Sequence, residues 1–150
     1  MQVKICLKSF NPWQEIQDYQ DSLPKDAAKF GATSVFIGTM RDYNEGVAVQ
    51  SMSLDYYPGM TEKQLEKILA DAKRQWDIID AYIVHRVGEI KLHDTIVLVA
   101  VWSAHRGDAF DASRFIMEAL KSTAPFWKKE ILASGRIRWV EKNTDGYKTT

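Results

Sequence analysis

Basic side chains that could form an anion-binding site stand together in the second half of the sequence. His105 and Arg106 stand three and four residues after an apolar run, Thr95 to Trp102, and directly precede a helical pattern. The free N–H groups at a helix N-terminus favour an anionic ligand, and an imidazole and a guanidinium beside them strengthen that preference. The alternative is a pair that only satisfies local hydrogen bonds at a strand end, and the residues alone leave both interpretations open.

Two further positions extend this basic set. Lys121 falls in the last turn of a helix predicted from Gly107, where a lysine is also the ordinary partner of the negative end of the helix dipole. Lys128 and Lys129 follow Ala-Pro-Phe-Trp, which is interpreted as a rigid aromatic turn. A lysine can act as a general acid or base when neighbouring cations depress its pKa. Helix capping and a solvated basic edge remain the alternatives.

Other basic residues are assigned by their position in the pattern. Arg41 lies in the loop after a glycine-bounded strand, where a guanidinium can reach phosphate oxygens. His85 and Arg86 lie within an apolar run and are interpreted as a structural pair, whereas His93 is expected at the surface. The predicted site therefore gathers five residues from three parts of the chain: Arg41, His105, Arg106, Lys121 and Lys128.

The composition limits the classes of function. The chain has 150 residues, of which 45% are apolar and 27% charged, which is typical of a folded protein with a substantial core. The formal net charge is zero, so no overall field recruits nucleic acid or a membrane. No signal region or membrane-length apolar run is present, and we expect a cytoplasmic protein.

Cofactor motifs are also absent from the sequence. The single cysteine, Cys6, excludes an internal disulfide and a cysteine-cluster metal site. There is no glycine-rich phosphate motif of the P-loop or dinucleotide type, and no Asp, Glu and His set with metal-ligand spacing. We expect neither a metal nor a cofactor, and with no cysteine near the basic residues we do not expect this chain to carry a persulfide.

Hydrophobic periodicity predicts a single α+β domain over residues 1–150, with a mostly antiparallel sheet, two main helices and a flexible tail from about residue 143. The first main helix follows a turn and has Thr61 and Gln64 at capping-box spacing. The second ends before Pro125. A short helical stretch precedes them, and strands are predicted at the following ranges: 3–7, 31–38, 47–56, 79–87, 94–102 and 136–141.

Several segments closely resemble the large, catalytic subunit of molybdopterin synthase, over most of the chain from about Phe30 to Glu141. The most specific combination is Ser103-Ala-His-Arg106 followed by Ala124-Pro-Phe-Trp-Lys-Lys-Glu130. The other matching segments are Phe30-Gly-Ala, Phe36-Ile-Gly-Thr-Met-Arg41, Tyr57-Pro-Gly-Met-Thr-Glu-Lys63 and His85-Arg-Val-Gly-Glu89. The first 29 residues match poorly, and no expectation is carried over there.

The resemblance implies an α/β-hammerhead-like fold and a homodimer with a small sulfur-carrier subunit at each end, which makes a heterotetramer. It implies a sulfurtransferase of molybdenum cofactor biosynthesis. The carrier's C-terminal Gly-Gly thiocarboxylate would enter a pocket of this subunit and give its sulfur to cyclic pyranopterin monophosphate. The product would be the dithiolene of molybdopterin.

By position, the resemblance implies Lys121 and Lys128 as catalytic residues. The implied substrate-binding residues are Thr39, Met40, Arg41, His105, Arg106, Lys121, Lys128, Lys129 and Glu130. Family members often have lysine where Thr39 stands, and this departure concerns anion binding. Two rival functions stay open: a non-catalytic dimeric module that binds an acidic partner tail, and a nucleic-acid binder, against which the zero net charge argues.

Overall fold

The computed structural model describes residues 1–25, 29–44 and 46–140. The predicted tail from about residue 143, and the last residue of the strand predicted at 136–141, lie outside these ranges. Within them, none of the helices has the length and apolarity needed to cross a membrane.

Three helices and nine strands occur in the described residues. In chain order they are β1 (Gln2–Cys6), α1 (Pro12–Asp21), β2 (Ala32–Thr39), β3 (Tyr43–Asn44), β4 (Val47–Tyr56), α2 (Met60–Gln75), β5 (Ile78–Arg86), β6 (Gly88–Lys91), β7 (Thr95–Ser103), α3 (Arg106–Thr123), β8 (Phe126–Leu132) and β9 (Ile137–Val140).

The first sheet has the strand order β1-β5-β7-β2 and forms the main core. Its central strands, β5 and β7, are almost continuously apolar because both of their faces are covered. Helices α2 and α3 pack on one face, around Leu65, Ile83 and Ile116. On the other face, residues before β2 and from α1 pack against Trp102 and Leu98.

The second sheet contains β3, β4, β8 and β9 in that order, and β6 pairs with β4 as well. Its inner face has a small core of its own, formed by Met40, Val49, Met52, Leu54 and Ile90. β8 brings the segment after α3 alongside β4, so that Met52 pairs with Glu130 and Leu54 with Lys128. The carboxyl end of α3 therefore lies close to the second sheet.

The predicted fold class, α+β with mostly antiparallel strands, is confirmed. Among the described strands, β1 and β5 pair in parallel and all other pairings are antiparallel.

Two local predictions were wrong. The aromatic segment before Lys128 is the beginning of β8 and not a turn, because its backbone pairs with Asp55 and Tyr56 of β4.

The start of α2 is the second correction. The helix begins at Met60 with Gly59 as its N-cap, and the Gly59 N–H donates to the Glu62 carboxylate at 2.8 Å. Thr61, predicted as the cap, is buried instead. Its hydroxyl accepts a hydrogen bond from the Tyr57 N–H at 2.9 Å and donates its own hydrogen to the Pro125 carbonyl at 3.1 Å, so it ties α2 to the start of β8.

Candidate functional site

A cavity of about 400 Å³ lies between the two sheets, at the carboxyl end of α3. We call it the lysine cavity. It is lined by six of the predicted site residues, which come from the end of β2, the end of α3 and β8: Thr39, Met40, Arg41, Lys121, Lys128 and Glu130. Arg41, which is far from the lysines in sequence, therefore shares a cavity with them.

The end of β2 is shaped so that Arg41 reaches this cavity. A bulge between Gly38 and Thr39 shifts the pairing with β7. A side chain at Gly38 would place its Cβ only 2.8 Å from the Val97 side chain, so the close approach favours glycine. Beyond the bulge, the Met40 N–H donates to the Asp94 carbonyl at 2.9 Å, which fixes the backbone next to Arg41.

The alternation of side chains along β8 determines which of its charged residues face the cavity. Successive side chains of a strand point to opposite faces, so Lys128 and Glu130 line the cavity. The intervening Lys129 lies on the opposite face, where its ammonium stands 5.8 Å from the centroid of the Trp139 ring. The structure thus does not bring Lys129 to the other predicted site residues.

Glu130 is the acidic member of the set and is nearly fully buried. Arg138 from β9 donates to its carboxylate from two nitrogens, at 2.9 Å and 3.2 Å. This pair balances the carboxylate charge from within the second sheet. Arg41, Lys121 and Lys128 also line the lysine cavity, and their positive charges suit an anionic ligand.

The titration of Lys121 is perturbed by its position at the cavity. Burial, and secondarily the positive charge of Lys128, lower its pKa from the ordinary value of 10.5 to about 8. A pKa in this range lets one amine hold or release a proton near neutral pH, which a surface lysine does not do. Perturbed titration at a cavity is typical of functional sites.

Replacing Lys121 with methionine should stabilise the folded chain at pH 7 by about 2 kcal/mol. The lowered pKa means that the unfolded chain binds the proton more tightly, so the charged lysine costs stability at every pH below 8. That cost disappears as the pH rises from 8 to 10.5, because the unfolded chain then also loses its proton. Urea unfolding at pH 7 and pH 10 measures this, and an unchanged difference between the two would contradict it.

His105 and Arg106 lie at the opposite end of α3 from Lys121. His105 is the N-cap and Arg106 the first helical residue, and both side chains are exposed. Arg106 and Lys121 are 15 residues apart (121 − 106), which corresponds to about 22 Å along the helix axis. In a single copy of the chain, the structure therefore does not bring these two residues to the lysine cavity.

A second concave surface, which we call the α3 groove, runs between β2 and the outer face of α3. Its volume is about 640 Å³, and Lys121 and Phe36 line both it and the lysine cavity. Phe110, on the first turns of α3, is 65% exposed there. The groove also contains charges of both signs, including Asp111 and Arg114.

Sequence reasoning missed the apolar lining of the site. Phe36, Met52, Ile96 and Val97 all contribute to the lysine cavity. Phe36 is 41% exposed, although the sequence had suggested only an ordinary residue of the strand predicted at 31–38. The sequence signal for this position was Gly38, two residues further on. Because glycine has no side chain, it leaves room for the Phe36 ring against the strand.

Comparison with known proteins gives one consistent result. The family model described as "MoaE protein" matches residues 11–123. The match begins in α1, so it includes a segment that the sequence resemblance had left out.

A "Molybdopterin synthase catalytic subunit" from Ralstonia nicotianae is 57% identical over 113 residues, which are 75% of this chain and 64% of the relative. The chain thus spans less than two thirds of that relative. A protein of the same name from Pseudomonas aeruginosa is 44% identical over 94% of this chain and 91% of its own length.

Solved structures share the fold. The molybdopterin biosynthesis MoaE protein from Burkholderia ambifaria superposes with a TM-score of 0.77 at 45% identity, covering 96% of this chain and 92% of the other. A complex of subunits 1 and 2 of the molybdopterin-converting factor from Helicobacter pylori gives a TM-score of 0.77 at 22% identity, covering 95% of this chain and 92% of that one. At that identity the likeness shows the fold alone.

Proposed function

Because this chain belongs to the MoaE protein family, we propose that it is the catalytic subunit of a molybdopterin synthase. In this function it transfers sulfur from the C-terminal thiocarboxylate of a small carrier subunit to cyclic pyranopterin monophosphate. The observation that carries the proposal is the lysine cavity, where Lys121 with its lowered pKa, Lys128 and Arg41 face one another.

The charges of the cavity suit the two proposed ligands. The substrate carries a phosphate and the carrier tail carries a thiocarboxylate, and two anions a few ångströms apart repel by several kcal/mol at intermediate dielectric. Arg41 is suited to phosphate oxygens because a guanidinium donates in a fixed fork, whereas the lysines can neutralise the tail as point charges. Both lysines face the same volume, so they can act on the same reacting atoms.

The position of Cys6 supports delivery of the sulfur by another molecule. Cys6 ends β1 and packs with the core on the α1 face of the first sheet, together with Tyr82 and Val84. Val97, by contrast, points into the α2–α3 core and lines the lysine cavity. The only thiol of the sequence therefore lies on the other face of the first sheet from the cavity.

The proposed reaction proceeds by nucleophilic transfer. The thiocarboxylate sulfur forms a bond to a carbon of the pterin side chain while a carbon–oxygen bond at that carbon breaks, and the departing oxygen takes the electron pair and a proton. Carrier and substrate are then joined through an acyl–sulfur bond. Water then cleaves that bond, the carrier leaves as a carboxylate, and the sulfur stays on the pterin with release of a proton. Lys121 and Lys128 stabilise the developing negative charge and exchange the protons of these steps. Because a dithiolene has two sulfur atoms, two thiocarboxylates are consumed for each product.

In the proposed function, His105 and Arg106 contribute to the lysine cavity of a second copy of the chain. In two α3 helices packed antiparallel about a two-fold axis, the N-terminus of one helix lies beside the C-terminus of the other. The midpoint between Arg106 and Lys121 falls at Ser113 and Arg114, within the α3 groove. An axis there would bring each copy's His105 and Arg106 to the partner's lysine cavity, and it would bury the exposed ring of Phe110.

The second proposed partner is the small carrier subunit. The Helicobacter pylori structure with this fold is a complex of two different subunits, which supports such an assembly. A slender C-terminal tail can enter a cavity of about 400 Å³ that a globular partner cannot. In the resulting heterotetramer, the two chains described here form the centre and one carrier binds at each cavity.

Turnover with purified components tests the proposal. The chain, a carrier with a C-terminal thiocarboxylate and cyclic pyranopterin monophosphate should together yield the dithiolene product. The same carrier with an ordinary carboxylate is the matched control and should yield none. If the chain bound the carrier tail but neither bound cyclic pyranopterin monophosphate nor formed any product, the non-catalytic docking module would be favoured instead.

A further inference from the structure

A small cavity lies directly behind the two lysines. Its volume is about 40 Å³, enough for a water molecule, and it shares Lys121, Lys128, Met52 and Ile96 with the lysine cavity. His85, at the end of β5, lines this inner cavity. The sequence suggested only a structural role for this residue, and the reaction described above does not use it.

The ring of His85 is held in one orientation. It stacks on Phe126 of β8 with 4.0 Å between the ring centroids and 15° between the planes. Its Nδ1 lies 2.8 Å from the carbonyl oxygen of Arg86. A carbonyl oxygen can only accept, so Nδ1 carries the proton, and in the neutral ring Nε2 is left as a hydrogen-bond acceptor.

Burial keeps this ring neutral. Desolvation lowers the pKa of His85 to about 3, and the positive charge of Lys121 acts in the same direction. An uncharged acceptor in a cavity that two lysines also line adds no repulsion, whereas an imidazolium there would. The far edge of the imidazole, which carries Nε2, points away from its own backbone, and the ring shares the inner cavity with Lys121 and Lys128.

We propose that His85 is a positioning residue for Lys121: its Nε2 accepts a hydrogen bond from the Lys121 ammonium, directly or across one water molecule in the inner cavity. This contact holds the amine toward the substrate and stabilises its protonated form against burial. The consequence for the reaction rests on the proposed function. The hydrogen bond itself does not, and can be measured without substrate.

Other charged groups surround the Lys121 ammonium, and a test of His85 must leave them unchanged. Lys128 and Glu130 face it from β8, and Arg41 faces it from the segment after β2. From its own helix, the groups that share the α3 groove with it are Asp111, Arg114 and Glu118. A substitution at His85 that preserves the ring shape leaves all of these in place, so it isolates the acceptor.

The test is the pH dependence of Lys121 modification by an amine-reactive reagent, followed on the Lys121 peptide by mass spectrometry. His85→Phe keeps a ring to stack on Phe126 but removes the acceptor, and should lower the midpoint for Lys121 by about one pH unit. His85→Gln restores an acceptor and should return the midpoint towards the wild-type value. Lys67, exposed on α2, is the internal control and should titrate identically in all three proteins.

An unchanged Lys121 midpoint in folded His85→Phe would overturn the inference, because a purely structural ring does not alter that titration. If His85→Phe does not fold, His85→Gln decides: a midpoint like that of the wild type supports the acceptor role, and one about a unit lower contradicts it. A shifted midpoint in a protein that forms no dithiolene would leave this inference standing and reject the proposed function. The two failures are thus distinguishable.

Discussion

Replacing Lys121 with alanine should reduce dithiolene formation by about 10²- to 10³-fold, which is the range expected when a residue that transfers protons or stabilises charge is lost. The reason is the position of Lys121, at which the lysine cavity, the α3 groove and the inner cavity meet. Its lowered pKa lets this amine exchange a proton near neutral pH. Single-turnover assays with a pre-thiocarboxylated carrier measure the chemical step without carrier recycling.

Two controls separate chemistry from folding and from docking in this experiment. Lys67→Ala removes a lysine from the exposed face of α2 and should leave the rate unchanged. Carrier binding to the Lys121→Ala chain should be retained, since most of a protein interface lies outside a single cavity residue. Near-normal product formation by Lys121→Ala would show that the assignment of Lys121 is wrong.

The second large effect is recovery of activity from two inactive chains. Arg106→Ala and Lys121→Ala should each be strongly impaired alone. If every site combines the lysine cavity of one copy with His105 and Arg106 of the other, random mixing should restore about one quarter of the wild-type sites. Half of the dimers are then hybrids, and in each hybrid one site has both substitutions and the other has neither.

A matched mixture makes this experiment decisive. Lys121→Ala and Lys128→Ala alter the same cavity of the same copy. Each site in their hybrids therefore keeps one substitution, and mixing should restore nothing. Recovery in neither mixture, with hybrid formation verified by differently tagged chains, would contradict the two-copy site and leave His105 and Arg106 without a part in it.

Much of the fold followed from periodicity in the sequence. The buried strands β5 and β7 and the amphipathic helices α2 and α3 were predictable because their apolar residues repeat with the periods of those elements. β8 was not, because a proline and two aromatic residues before two lysines are equally typical of a turn. Its pairing with β4 is a long-range contact that no local pattern contains.

The sequence indicated which basic residues to consider for a site, but not how they are arranged in space. The residue types of Arg41, Lys121 and Lys128 indicated anion chemistry, and the fold brings them to one cavity. That Lys129 lies on the opposite face from Lys128 became evident only once β8 was known to be a strand, because successive side chains of a strand alternate. The distance of His105 and Arg106 from that cavity follows from the length of α3, although the sequence had suggested a single cluster.

The inner cavity had no signal in the sequence. His85 follows apolar residues in a strand, which is equally compatible with a core histidine, and its link to Lys121 depends on the stacking with Phe126 of a strand that was not predicted. Tertiary contacts between β5, α3 and β8 create this relation.

Isotope tracing of the sulfur tests the central claim most directly. The carrier thiocarboxylate is prepared with ³⁴S and supplied with the chain and cyclic pyranopterin monophosphate in a single incubation, and the product is analysed by mass spectrometry. The account predicts a dithiolene in which both sulfur atoms carry the label, and the same labelled product in much smaller yield from Lys121→Ala. A product with unlabelled sulfur, or no product from a correctly folded dimer with its carrier bound, would contradict the claim that this chain transfers sulfur from the carrier to the pterin.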